Sequence, residues 1–105
     1  MSDGEKSRKA VLVIGRRLVY GDRDFAEAIV WRVPEPVAPS SHRLKYRLAY
    51  VVDGRCVLRF DNERGKGDHR HDGEREIPYR FETVERLMAD FAAAIEQWRV
   101  EHGRN

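Results

Sequence analysis

The sequence predicts an α+β domain: an antiparallel β-meander of about four to five strands with one C-terminal helix packed on one face. Three observations carry this expectation. Apolar and polar residues alternate along Phe25–Val33, Arg43–Val51 and Arg55–Asp61, the period of half-buried strands. Asp53-Gly54 stands between the last two runs and signals a tight hairpin. From Thr83 onward the period changes, and Val84, Leu87, Met88, Phe91, Ala94, Ile95 and Trp98 fall on one helical stripe.

The elements follow in order. Ala10–Ile14 and Arg17–Tyr20 read as one bent strand or two short ones around Gly15, and Gly21-Asp22 as a turn. In Phe25–Val33, Glu27 interrupts the side that carries Phe25, Ile29, Trp31 and Val33. Pro34, Pro36 and Pro39 make a stiff polar connector that cannot join a central strand. In the hairpin, a two-residue turn at Asp53-Gly54 pairs Val52 with Arg55 and mixes the faces. A three-residue loop, Val52-Asp53-Gly54, pairs Val51 with Arg55 instead. It gathers Tyr46, Leu48, Tyr50, Cys56, Leu58 and Phe60 on one face, so the apolar pattern selects it. The same register sets Arg47 opposite Arg59 and Lys45 opposite Asp61. Glu74–Arg80 reads as a short edge strand limited by Pro78. Thr83 caps a helix that runs to Glu101 or His102 and stops at Gly103.

The chain of 105 residues is long enough for one domain, placed at 10–103 after a polar, flexible N-terminus, Met1–Lys9. It is 41% hydrophobic and 36% charged, with a net charge of only +2, which excludes a histone-like polycation. The single cysteine, Cys56, excludes an internal disulfide and fits a reducing cytosol. Within the strand pattern it reads as a small core residue. No apolar run approaches the roughly 20 residues of a membrane span, and the N-terminus has no signal-peptide core. A cytoplasmic location without membrane contact follows as the expectation.

The chemistry-bearing segment is Phe60-Asp-Asn-Glu-Arg-Gly-Lys-Gly-Asp-His-Arg-His71, in which nothing apolar follows Phe60 until Ile77. His69 and His71, two apart, put both imidazoles on one side of an extended chain. Such a pair suits proton transfer near neutral pH or metal ligation. Lys45, Arg47, Arg59, Lys66 and Arg70 supply positive charge for phosphate. An Arg47–Arg59 pair costs stability unless an anion lies between the two. The glycines around Lys66 can offer N–H groups to one phosphate, although the spacing is not that of a P-loop. A Ser triad has no support, and clustered cysteines for structural zinc are lacking. An open metal site from His69, His71, Asp61 and Asp68 ranks below metal-free acid–base chemistry, since a carboxylate beside His also simply orients the ring.

The segments Val30-Trp-Arg-Val-Pro34, Ser41-His-Arg-Leu-Lys-Tyr-Arg-Leu-Ala-Tyr50, Phe60-Asp-Asn62 and Asp68-His-Arg-His71 resemble the TumE family of bacterial type II toxin–antitoxin toxins. The likeness spans Ala10 to Trp98. It implies a small toxin paired with a cognate helix-turn-helix antitoxin and acting on RNA, with Asp61, Asn62, His69 and His71 as the catalytic candidates. In the resulting picture the toxin is an endoribonuclease that needs no cofactor and no metal. One His takes the ribose 2′-OH proton and the other protonates the leaving 5′-oxygen. Asp61 orients a His, and Asn62 fixes the loop or a phosphate oxygen. A homodimer, a non-catalytic RNA- or protein-binding module, and a metal-dependent phosphodiesterase or nucleotide-modifying enzyme stay open beside it. The antitoxin is expected to lay carboxylates over the basic face.

Overall fold

The structure, a computed structural model, describes residues 9–104; the expected flexible N-terminus lies outside them except for Lys9. Six strands form one antiparallel sheet in chain order: β1 (Val11–Val19), β2 (Asp24–Arg32), β3 (Leu44–Val52), β4 (Arg55–Glu63), β5 (Gly67–Asp72) and β6 (Arg75–Pro78). One helix follows, α1 (Val84–Glu101). The meander and its helical cover are as the sequence predicts, but the strands number six. The additional strand comes from the Gly-rich segment. It is not a long loop: β4 continues to Glu63, Arg64-Gly65-Lys66 turns, and β5 returns through His69 and His71.

The first strand is continuous, bent by a register shift between Leu12 and Ile14 rather than broken at Gly15. The β3–β4 hairpin departs from the expected register. Asp53 (φ 53°) and Gly54 (φ 79°) are both left-handed, the requirement of a two-residue type I′ turn, and Val52 pairs with Arg55. The face-mixing that this turn would cause is removed one step later. Val51 pairs with Cys56 but Tyr50 with Leu58, so Val57 is an extra, bulged residue. Beyond the bulge Leu48 meets Phe60 and the apolar face is restored. Two consequences overturn sequence expectations. Arg47 lies opposite Asp61, and Arg59 opposite Ala49, so the repulsive arginine pair does not form. Cys56, on the turn side of the bulge, is exposed rather than in the core.

The core lies between one sheet face and the helix. Ala26, Ala28, Val30, Tyr46, Leu48, Tyr50, Leu58 and Phe60 meet Leu87, Phe91, Ala94 and Ile95. Phe60 packs edge-on against Phe91, and Tyr50 against Trp98, with ring centroids 5.6 Å apart in both pairs. Thr83 caps the helix by accepting from the Arg86 N–H at 3.0 Å. The far end is pinned by Arg99, which donates to the buried Asp24 carboxylate and to Tyr50 Oη. Tyr50 also donates to Asp24 at 2.5 Å. Among the described residues no helix is long and apolar enough to cross a membrane.

Candidate active site

Strand alternation sorts the expected site residues onto two faces. Asp61 pairs with His69, and Arg59 with His71; because paired residues share a face, these four side chains meet on the side away from the helix. Arg47 joins them from β3, opposite Asp61. Glu76 joins them from β6, opposite His71. Asn62 and Arg70, each one residue out of phase, face the helix side.

The open-face group is tightly drawn together. The His69 and His71 rings are 4.9 Å apart, nearly perpendicular. His69, only 3% exposed, has its Nδ1 3.1 Å from the Gly67 carbonyl. A carbonyl only accepts, so Nδ1 carries the hydrogen and Nε2 faces inward to the cluster. There Nε2 lies 2.8 Å from Asp61 Oδ1, 3.2 Å from Glu76 Oε2 and 3.7 Å from Glu63 Oε1. These distances are short, yet the directions are wrong. Among the described residues neither His69 Nε2 nor Asp61 Oδ1 completes a hydrogen bond, and both are buried. Arg59 donates through Nη2 to His71 Nε2 at 2.9 Å, while its Nε lies 3.1 Å from Asp61 Oδ2. A guanidinium only donates, so this contact fixes His71 Nε2 as an acceptor. Burial first, and then the neighbouring Arg59 and His69, hold the His71 imidazole below its ordinary pKa; Glu76 and Asp61 pull the other way.

The remaining candidates are dispersed. Lys45 reaches the Asn62 carbonyl. Lys66 sits exposed at the β4–β5 turn, 3.9 Å from Glu76. The backbone there is already engaged, since Gly65 N–H donates to the Ala38 carbonyl and Lys66 N–H to that of Glu63. These two N–H groups are therefore not free for a phosphate. Arg70 lies over the Phe60 ring, 4.9 Å from its centroid, on the helix side. Asn62 is fully buried there. It accepts from the Tyr46 N–H at 3.0 Å and donates to the Leu44 carbonyl at 2.7 Å, so it fixes the chain and stands away from the histidines. Asp68 is also on the helix side, where Tyr46 Oη (2.9 Å), His42 Nε2 (2.9 Å) and Ser40 Oγ (3.2 Å) converge on its carboxylate.

Glu76 is the group that sequence reasoning missed. Gly73 was the available signal: a two-residue turn at Gly73-Glu74 brings Asp72 to Arg75 and thus His71 to Glu76. The convergence of the Asp61–His69 and Arg59–His71 pairs within one hairpin rests on the Asp61-Asn62, Gly65-Lys66-Gly67 and His69-Arg70-His71 segments of this sequence.

A family model described as Toxin TumE matches residues 3–99. The chain belongs to the TumE toxin family. Comparisons with curated proteins and with solved structures give no match. The matched span contains all six strands and nearly the whole helix of this TumE chain. It therefore includes every residue of the open-face cluster.

Proposed function

We propose that this TumE chain is the toxin of a type II toxin–antitoxin pair and that it cleaves RNA at the Arg59–Asp61–His69–His71 cluster without a metal in the chemical step. The observation that carries this reading is the Arg59–His71 contact, a phosphate-seeking guanidinium resting on an imidazole acceptor at 2.9 Å on an open face. An RNA phosphate draws Arg59 into a forked contact and so frees His71 Nε2. His71 then takes the 2′-OH proton, the 2′-oxygen bonds to phosphorus, and the bond to the 5′-oxygen breaks. For this step His69 must enter protonated on both ring nitrogens; Glu76, whose Oε2 lies 3.2 Å from His69 Nε2 and 3.6 Å from His71 Nε2, takes the Nε2 proton and passes it to the leaving 5′-oxygen. The Gly67 carbonyl holds His69 from behind through Nδ1, and Asp61 lies beside its Nε2. Arg47 and Lys45 extend the cationic track along β3.

The partner in this reading is a helix-turn-helix antitoxin that shields this face with carboxylates. Incubating the folded chain with RNA in excess EDTA tests the chemistry: fragments ending in a 2′,3′-cyclic phosphate are expected. Fragments with 5′-phosphates, dependence on added metal, or RNA binding without turnover would each overturn it.

A further inference from the structure

His69 Nε2 and Asp61 Oδ1 approach to 2.8 Å, are buried, and complete no hydrogen bond among the described residues. A protonated imidazolium would aim its N–H along that line. Two ligands of one ion behave differently. Each aims its lone pair at the ion, and the ligand atoms sit side by side, close but off each other's axes. The off-line approach is therefore the geometry of shared ligation. The rest of the cluster agrees. His69 donates Nδ1–H to a backbone carbonyl, the outer contact that fixes a metal-binding histidine. Asp61, His69 and His71 each offer a ligand atom, all within 4.8 Å of one another. Tetrahedral bonds of about 2.0–2.2 Å would place the donors roughly 3.3–3.6 Å apart, so modest side-chain rotation brings the set onto a common centre. Glu76 Oε2 stands beside both rings as a fourth donor atom.

We propose that Asp61, His69 and His71, with Glu76 as fourth ligand, bind one divalent transition-metal ion of the Zn²⁺ or Co²⁺ class. Two imidazoles and carboxylates favour such an ion over Mg²⁺ or Ca²⁺, which prefer all-oxygen shells. Arg59 lies where the ion's charge would act, with one nitrogen near His71 and another near Asp61. Metal and guanidinium therefore compete, and a bound metal displaces Arg59 and occupies the His71 lone pair. If the acid–base function proposed above holds, the metal is an inhibitor of RNA cleavage; the binding site itself does not depend on that function.

Titrating the full chain with Co²⁺, followed by visible absorption, and with Zn²⁺, followed by calorimetry, tests the site. One ion per chain is expected. His71→Gln and Glu76→Gln, both at partly accessible positions, should weaken binding by roughly tenfold or more while circular dichroism stays native. Arg59→Ala should tighten it severalfold, a gain that an adventitious surface site would not show. Absence of one-to-one binding, or binding indifferent to all three changes, overturns the site. Binding accompanied by faster RNA cleavage sustains the site and overturns the metal-free mechanism. Unimpaired cleavage without binding does the reverse.

Discussion

Asp61 and Asp68 lie in facing strands of one hairpin, yet their surroundings differ in kind. Asp68, on the helix side, receives three donors in good geometry from Tyr46, His42 and Ser40. His42 is held in turn, since its Nδ1 accepts from the Leu44 N–H at 3.2 Å. Asp61, on the open side, has closer charged neighbours, but its Oδ1 completes no hydrogen bond among the described residues. The first carboxylate belongs to a closed polar network that stabilises the fold. The second belongs to a cluster of short contacts that are not completed as hydrogen bonds. Two acids of equal formal charge, Asp61 buried and Asp68 half-buried, thus differ in whether their close contacts are completed as hydrogen bonds.

The largest effect that separates them is expected on stability. Asp68→Ala strands Tyr46 Oη and Ser40 Oγ in partly buried surroundings and should cost roughly 3 kcal/mol in a urea melt. Asp61→Asn should cost less, because it breaks no completed hydrogen bond and the part-exposed Arg59 that loses its ion partner can turn toward solvent. Equal costs would abolish the distinction. On activity the order reverses. His71→Ala should lower RNA cleavage by roughly a hundredfold with a melting temperature close to the parent's, while Asp68→Ala, assayed where it is folded, should retain its rate.

Alkaline pH sharpens the contrast further. Tyr46 and Tyr79 are held well above the ordinary tyrosine value, by burial first and then by Asp68 and Asp90 respectively. A raised folded-state pKa gives stability that is complete below the unfolded value, about 10, and is lost as pH rises above it. Urea midpoints should therefore fall above about pH 10, and Tyr46→Phe should flatten part of that fall. The smallest effect concerns Arg47. Because it faces Asp61 and not a second arginine, Arg47→Ala should bring no gain in stability. It should lower the salt slope of RNA binding by about one, and a rise in melting temperature would restore the repulsive pairing.

The helix was legible almost to the residue because its signals are local: the apolar stripe lies within its span, and Thr83 and Gly103 stand at its two ends. The sheet was legible as alternation but not as register. A single bulged residue, Val57, shifts every later pair, and nothing in an alternating run of Val, Leu and Phe marks it. Exposure of Cys56 and the Arg47–Asp61 pairing were hidden for the same reason. Within the candidate site, His69 and His71 were found by their spacing. Their burial and their partner Glu76 were not, since both depend on a strand that the Gly-rich composition concealed. Asn62 and Asp68 were drawn toward the site by proximity in sequence, although strand parity sends them to the other face.

The two edges of the sheet are unlike. β6 is four residues long and ends at Pro78, which has no N–H to offer a further strand. β1 runs for nine residues with Val11, Leu12, Leu18 and Val19 exposed, so added strands find their template there. From β1 to β5 is four strand spacings, about 19 Å. A ligand that merely extends the sheet thus settles at the far side of the molecule and leaves Arg59 and His71 in contact with solvent. To silence the cluster from that foothold, it must carry a second segment long enough to cross the width of the sheet.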